Sequence, residues 1–209
     1  MTTIAFDGNT LAIDNGLFSG HVIFSGQKMF HLKRTSKFSE YFGHDIGESV
    51  VAISGDYGMV PVVVNAINHD NPAMLPGKKG EANYDISGIL IDLDSGIAYF
   101  IEPTLALIRI TALPVANGGG KAFAYGAMIG GLSALNAIIA ANLYTDFAGH
   151  GVTCFDLPEN VVRKLMVNYK LEAVAIEVEG HVPDVVYGVG GAIMDTILKS
   201  NTVITCFEI

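Results

Sequence analysis

The sequence predicts an α+β protein, a four-layer αββα sandwich of two antiparallel sheets flanked by helices. Three observations predict it. Short apolar runs occur in pairs across turn-forming clusters, as antiparallel hairpins require. Segments with helical spacing are segregated from those pairs instead of alternating with them one for one, which favours α+β layers over a doubly wound sheet. Half of the 209 residues are apolar, enough for one domain with a substantial core.

Each element has a local reason. Residues 3–6 and 10–13 flank Asp7-Gly8-Asn9 and predict a first hairpin; residues 21–24 and 29–32 flank Ser25-Gly26-Gln27 and predict a second. Residues 50–53 read as a short buried strand, after which Asp56 is placed to cap a helix over 59–68. Pro61 is tolerated there because it falls in the first turn, where its missing N–H has no helical partner. A polar loop follows over 71–85, rich in Pro, Gly and Lys. Residues 88–92 and 97–101 across Asp94-Ser95-Gly96 then predict a third hairpin, and 105–110 is a further apolar run. The Gly118-Gly119-Gly120 loop leads into one long buried helix over 122–143, whose small residues let another backbone approach. Leu157-Pro158-Glu159 opens a shorter helix with Val161, Val162, Leu165 and Met166 at helical spacing. A strand over 172–178, a helix over 190–198 and a strand over 203–207 complete the chain. No linker divides it, so residues 1–209 are expected to form a single domain, with 157–209 as an extension of it.

Composition removes several function classes. The formal charge is −9, from 21 acidic residues against 12 Lys plus Arg, which disfavours nucleic acid or an anionic membrane as partner. Cys154 and Cys206 make neither a C-x-x-C nor a Cys/His cluster, and a reducing cytoplasm is the expectation. Secretion is not expected, because Asp7, Asn9 and Asp14 interrupt the first fifteen residues. Gly118-Gly119-Gly120-Lys121 lacks the first Gly and the Ser/Thr of a phosphate loop, and Gly188-Val189-Gly190-Gly191 lacks the last glycine of a dinucleotide fingerprint. The six histidines show no metal-binding spacing. No metal or organic cofactor is expected.

One residue pattern points to chemistry. With Met1 removed, Thr2 would present a hydroxyl nucleophile and a free α-amine on a single residue. The amine's ordinary pKa of about 7.7–8.0 suits a general base near neutral pH. Thr2 runs straight into the apolar strand Thr3-Ile4-Ala5-Phe6, which would hold it rigidly.

The segments Met1-Thr2-Thr3-Ile4-Ala5-Phe6-Asp7-Gly8, Leu11-Ala12-Ile13-Asp14, Lys28-Met29-Phe30, Val51-Ala52-Ile53-Ser54-Gly55-Asp56 and Ala124-Tyr125-Gly126-Ala127-Met128 occur in that order. Together they resemble the proteasome β-subunit and HslV-type peptidase family, particularly its small bacterial and phage-borne members, over residues 2–155. The resemblance implies an N-terminal-nucleophile hydrolase with Thr2 as nucleophile, Lys28 and Asp14 beside it, and Gly55 as the oxyanion-hole glycine. It also implies a peptide or unfolded-protein substrate and a homo-oligomer, a ring stacked on another ring and fed by an ATP-driven unfoldase.

Departures from the family pattern are visible too. Gly119 stands where the family often has a serine before the long helix, and Ala148 replaces a serine near Asp146. Asn15 takes the place of an arginine. Three function classes therefore stay open: a threonine-type peptidase acting through an acyl-enzyme on Thr2, a catalytically inactive protein of the same fold used for assembly or protein binding, and a small-amide hydrolase sharing the nucleophile.

Overall fold

Thr3–Phe6 (β1) and Thr10–Asp14 (β2) pair antiparallel as the first predicted hairpin. Asp7 closes it: its Oδ1 accepts the N–H groups of Asn9 and Thr10, each at 2.8 Å, and Gly8 takes a positive φ of 102°. This computed structural model describes residues 2–19, 22–77, 82–144, 151–169 and 204–206. Val115–Gly118 (β10) flanks β1, while Val152–Asp156 (β11) and Ile204–Cys206 (β12) extend the sheet beyond β2, giving the order β10-β1-β2-β11-β12. A second five-stranded sheet runs in sequence order through Met29–Leu32 (β5), Ser49–Gly55 (β6), Ile86–Asp92 (β7), Ile97–Ile101 (β8) and Leu107–Arg109 (β9). Gly16–Ser19 (β3) and Val22–Ser25 (β4) form a separate two-stranded ribbon. The described helices are Ser39–Phe42 (α1), Met59–Asn68 (α2), Lys121–Ile129 (α3), Ala134–Tyr144 (α4) and Glu159–Tyr169 (α5). The fold is mixed α+β.

Period-two alternation sorts the strand residues into three apolar clusters. On β1 and β2, the large residues Ile4, Phe6, Leu11 and Ile13 join Met29, Val50, Ile89 and Ile91 of the second sheet in one cluster, to which α5 adds Val161 and Leu165. The intervening small residues Ala5 and Ala12 join Cys154 and the alanines of α3 and α4 in another. Val51 and Ile53, which alternate with Val50 and Ala52 along β6, pack instead with Val60, Val63 and Ile67 of α2. No described helix is long and apolar enough to cross a membrane.

Four expectations are corrected. The second hairpin does not form: β4 turns back onto β3, with Gly16 opposite Ser25, and β5 pairs with β6 in the other sheet. Ser25-Gly26-Gln27 is a crossover. It lies so close over Leu17 that a Cβ on Gly26 would collide with that side chain, and the Gly26 N–H is taken by the Asn15 carbonyl at 2.9 Å. The single long helix is two, α3 and α4, because Gly131 adopts φ +92° and Asp7 Oδ2 accepts the N–H of Ala134 at 2.7 Å, capping a new helix from a distant turn. α3 is also far from fully buried, since Phe123, Tyr125 and Ile129 are exposed. Finally, not every strand pair is antiparallel: β12 runs parallel to β11, which the long connection between them permits.

β3, β10 and β11 were not anticipated. The strand expected over 172–178 and the helix over 190–198 lie outside the described residues, as does part of the loop expected over 71–85. Asp56 stands ahead of α2 as expected, but its Oδ1 accepts the N–H of Gly58 at 2.8 Å, one residue before the helix, while its carbonyl accepts from Met59 and Val60.

Candidate active site

The position of Thr2 is set by backbone. Thr3 opposes Gly118 across β1 and β10, and the Gly119 N–H donates to the Thr2 carbonyl at 2.7 Å. The approach is so close that a Cβ on Gly118 would collide with that carbonyl, and one on Gly120 would collide with the Thr3 hydroxyl. The triple glycine therefore lets the segment before α3 clasp the start of β1.

Asp14 ends β2, the strand paired with β1, and Lys28 immediately precedes β5. The structure brings both to Thr2. Lys28 Nζ donates to Thr2 Oγ1 at 2.8 Å and to Asp14 Oδ2 at 3.0 Å. Asp14 also accepts the Thr3 N–H at Oδ1, through a short hydrogen bond, and the Gly16 N–H at Oδ2, at 3.1 Å. Asp14 and Lys28 are 0% and 3% exposed, so neither charge is relieved by water. Burial pushes the Lys28 ammonium below the ordinary lysine value, opposed by the charge of Asp14 and its hydrogen bond. Burial likewise pushes the Asp14 carboxyl up, against the pull of Lys28 and the N–H groups of Thr3 and Gly16.

Gly55 lies at the end of β6 and lines the same cleft as Thr2, a space of about 580 Å³. Its φ is +123°, and a Cβ would collide with the Asp85 carbonyl, so the position requires glycine. The hydrogen-bond alternation gives the direction of its N–H. Asp56 donates to Asp85 and Ile53 donates to Lys28, so even-numbered residues at this end of β6 bond towards β7 and odd-numbered ones towards β5. Gly55 is odd, but β5 starts at Met29, too late to oppose it. Its N–H thus faces the side from which Lys28 approaches, and no acceptor for it occurs among the described residues.

The other flagged positions divide. Gly119 sits in the cleft lining beside Thr2. Asn15 is a buried tie: its Oδ1 accepts from Thr153 Oγ1 at 2.7 Å and its N–H donates to the Gly151 carbonyl at 3.1 Å. Asp146 and Ala148 lie outside the described residues. Among the described residues, no group of three or more His, Cys, Asp or Glu side chains is arranged to hold a metal ion. Sequence reasoning missed the clasp made by Gly118 and Gly120; three consecutive glycines before a helix were its only signal.

No family model matches the chain, and no curated protein matches it. Among solved structures it is similar to Anbu (ancestral beta-subunit) from Yersinia bercovieri, with 12% identity over 97% of this chain and 98% of that one and a TM-score of 0.53. It is also similar to an Anbu (Gly-1) mutant from Hyphomicrobium sp. strain MC1, with 11% identity over 100% of both chains and a TM-score of 0.57. At these identities the likeness shows the fold alone, one shared with the Anbu proteins. The assignment to the proteasome β-subunit and HslV-type family is thereby corrected: the structural neighbours are Anbu proteins, and no family model supports the narrower membership. The short segments behind that assignment include turns and close approaches, such as those at Gly8 and Gly55, that the backbone itself requires.

Proposed function

We propose that the protein is a threonine-type amide hydrolase that cleaves peptide bonds through an acyl-enzyme on Thr2, once the Met1–Thr2 bond has been cut. The single observation that carries this reading is Lys28 Nζ at 2.8 Å from Thr2 Oγ1, backed by Asp14 and opening on a cleft. In the proposed reaction Thr2 Oγ1 bonds to the substrate carbonyl carbon while its proton passes to the freed α-amine. The buried Lys28 cation favours the developing alkoxide, and Asp14 holds that cation in place. The negative carbonyl oxygen is met by the Gly55 N–H, a type of contact worth roughly 100- to 1000-fold in rate. Collapse breaks the C–N bond, the α-ammonium returns its proton to the departing amine, and water repeats the sequence to release the acid and free Thr2.

The wider frame of this reading is a single domain over residues 1–209 with the four-layer αββα arrangement. It is supported by the three apolar clusters, two of which join a sheet to helices and one of which joins the two sheets. A homo-oligomer is part of the reading as well, supported by likeness to a protein titled as an ancestral beta-subunit.

Intact-mass measurement of the native protein, followed by turnover of small peptide amides by the Met-free form and by Thr2→Ala, tests the hydrolase. Methionine loss with turnover that vanishes in Thr2→Ala is expected. Quantitative retention of Met1 in the native host, or equal rates for the two forms, overturns it in favour of a binding or assembly component, because an acylated nitrogen cannot accept the proton.

A further inference from the structure

Besides Thr2, the described residues of the cleft lining are glycines, Ser54, the apolar or aromatic side chains of Leu17, Phe24 and Tyr57, and one carboxylate, Asp56. The Lys28–Asp14 pair behind Thr2 cancels to zero, so among the described side chains of the lining Asp56 is the carboxylate a substrate would meet, beside the α-amine freed at Thr2. Asp56 is exposed, in contrast to Asp14. One of its oxygens, Oδ1, is anchored on the Gly58 N–H at 2.8 Å, which orients the group; Oδ2 has no partner among the described residues. It follows Gly55 directly, so an oriented negative charge stands one residue from the N–H expected to meet the oxyanion. Left unpaired there, it would oppose the development of negative charge on the substrate. A substrate that brings its own cation removes that penalty and gains an ion pair.

We propose that Asp56 selects substrates with a cationic side chain next to the reacting amide, the neighbouring apolar part lying against Leu17 and Phe24. The substrate class is a basic peptide with an adjacent apolar residue, and an acidic peptide is rejected. This rests on the reading of the cleft as the substrate site, but its test does not need turnover.

The experiment is binding of blocked pentapeptides to the full-length Thr2→Ala protein by fluorescence anisotropy. The peptides are identical except for Lys, norleucine or Glu after a leucine. The lysyl peptide is expected to bind about 3- to 10-fold more tightly than the norleucyl peptide at low ionic strength, with the gap narrowing in high salt and the glutamyl peptide weakest. Asp56→Asn abolishes the lysyl preference, and Asp56→Lys turns it towards the glutamyl peptide. Asp56→Ser, which keeps an acceptor for the Gly58 N–H, replaces Asp56→Asn if that variant fails to fold. Equal affinities of the three peptides, or a lysyl preference that survives loss of the carboxylate, overturns the proposal. Loss of turnover in the parent protein with the lysyl preference intact removes the hydrolase reading alone.

Discussion

Among the described residues, the buried carboxylates Asp14 and Asp92 end strands, and they are held in different ways. Asp14, at the end of β2, faces a buried cation that also reaches a hydroxyl. Asp92, at the end of β7, is 5% exposed and is satisfied by backbone: it accepts from Asp94 and Ser95 at Oδ1 and from Gly47 at Oδ2. Both solve the same problem, the cost of removing a carboxylate from water. Asp92 solves it with the amides of its own turn and a neighbouring loop, which organises the third hairpin and leaves nothing to react. Asp14 adds to the amides of Thr3 and Gly16 the cation of Lys28, which retains donor capacity for Thr2. Burial of a carboxylate therefore does not by itself single out the candidate site; the identity of its partner separates Asp14 from Asp92.

The comparison breaks most visibly if the cation is removed. Lys28→Met leaves Asp14 buried without its counter-charge, and a loss of about 3–5 kcal/mol in unfolding free energy is expected at neutral pH by chemical denaturation. Turnover of peptide amides should fall with it to the Thr2→Ala level. Asp92→Asn keeps an acceptor for the turn and lacks a cation to strand. It should cost about 1–2 kcal/mol by the same measurement and leave turnover at the parental rate. If the two substitutions destabilise equally, the distinction between the two carboxylates fails.

The smallest effect concerns protons. Asp14 is what raises Lys28 against the downward push of burial, so Asp14→Asn should lower the Lys28 pKa further, as read from the pH-dependent shift of a labelled lysine Cε. The sign for stability follows. With the folded-state pKa of Lys28 below its unfolded value of 10.5, the unfolded chain binds more protons between the two values. Its contribution to stability therefore rises with pH across that window. Denaturation series on the parent and on Lys28→Met should differ by this slope, and parallel pH profiles would show that Lys28 titrates normally.

Legibility in the sequence followed the range of the interaction. The hairpin around Asp7-Gly8-Asn9, the hairpin around Asp94-Ser95-Gly96, α2 and α5 were readable because turn residues and apolar spacing lie within a dozen positions of each other. β10 was not: Val115–Gly118 is a strand only because β1 stands beside it. The same holds for β11, which borrows its partner from β2. Gly130 and Gly131 were read as sites of close approach, when the stop is a positive φ at Gly131 and the restart a carboxylate from Asp7, 127 positions away from Ala134. At the candidate site, the pairing of hydroxyl and α-amine on Thr2 was legible as chemistry on one residue. Lys28 and Asp14 were carried by resemblance, and Gly118 and Gly120 were missed.

By itself the sequence determined that Thr2 carries a hydroxyl next to the chain's start and that the turns at Asp7-Gly8-Asn9 and Asp94-Ser95-Gly96 form, because such features are properties of one to four neighbouring residues. It also determined the two-faced strands, since large and small side chains alternate along β1 and β2 at the strand period. The tertiary structure alone decided that the end of β2 and the approach to β5 converge on Thr2, that Gly26 marks a crossover, and that an exposed Asp56 shares a cleft with a buried ion pair. These depend on which strand lies beside which. That choice is made by burial of whole faces and by long-range hydrogen bonding, for which no short stretch of chain carries the information.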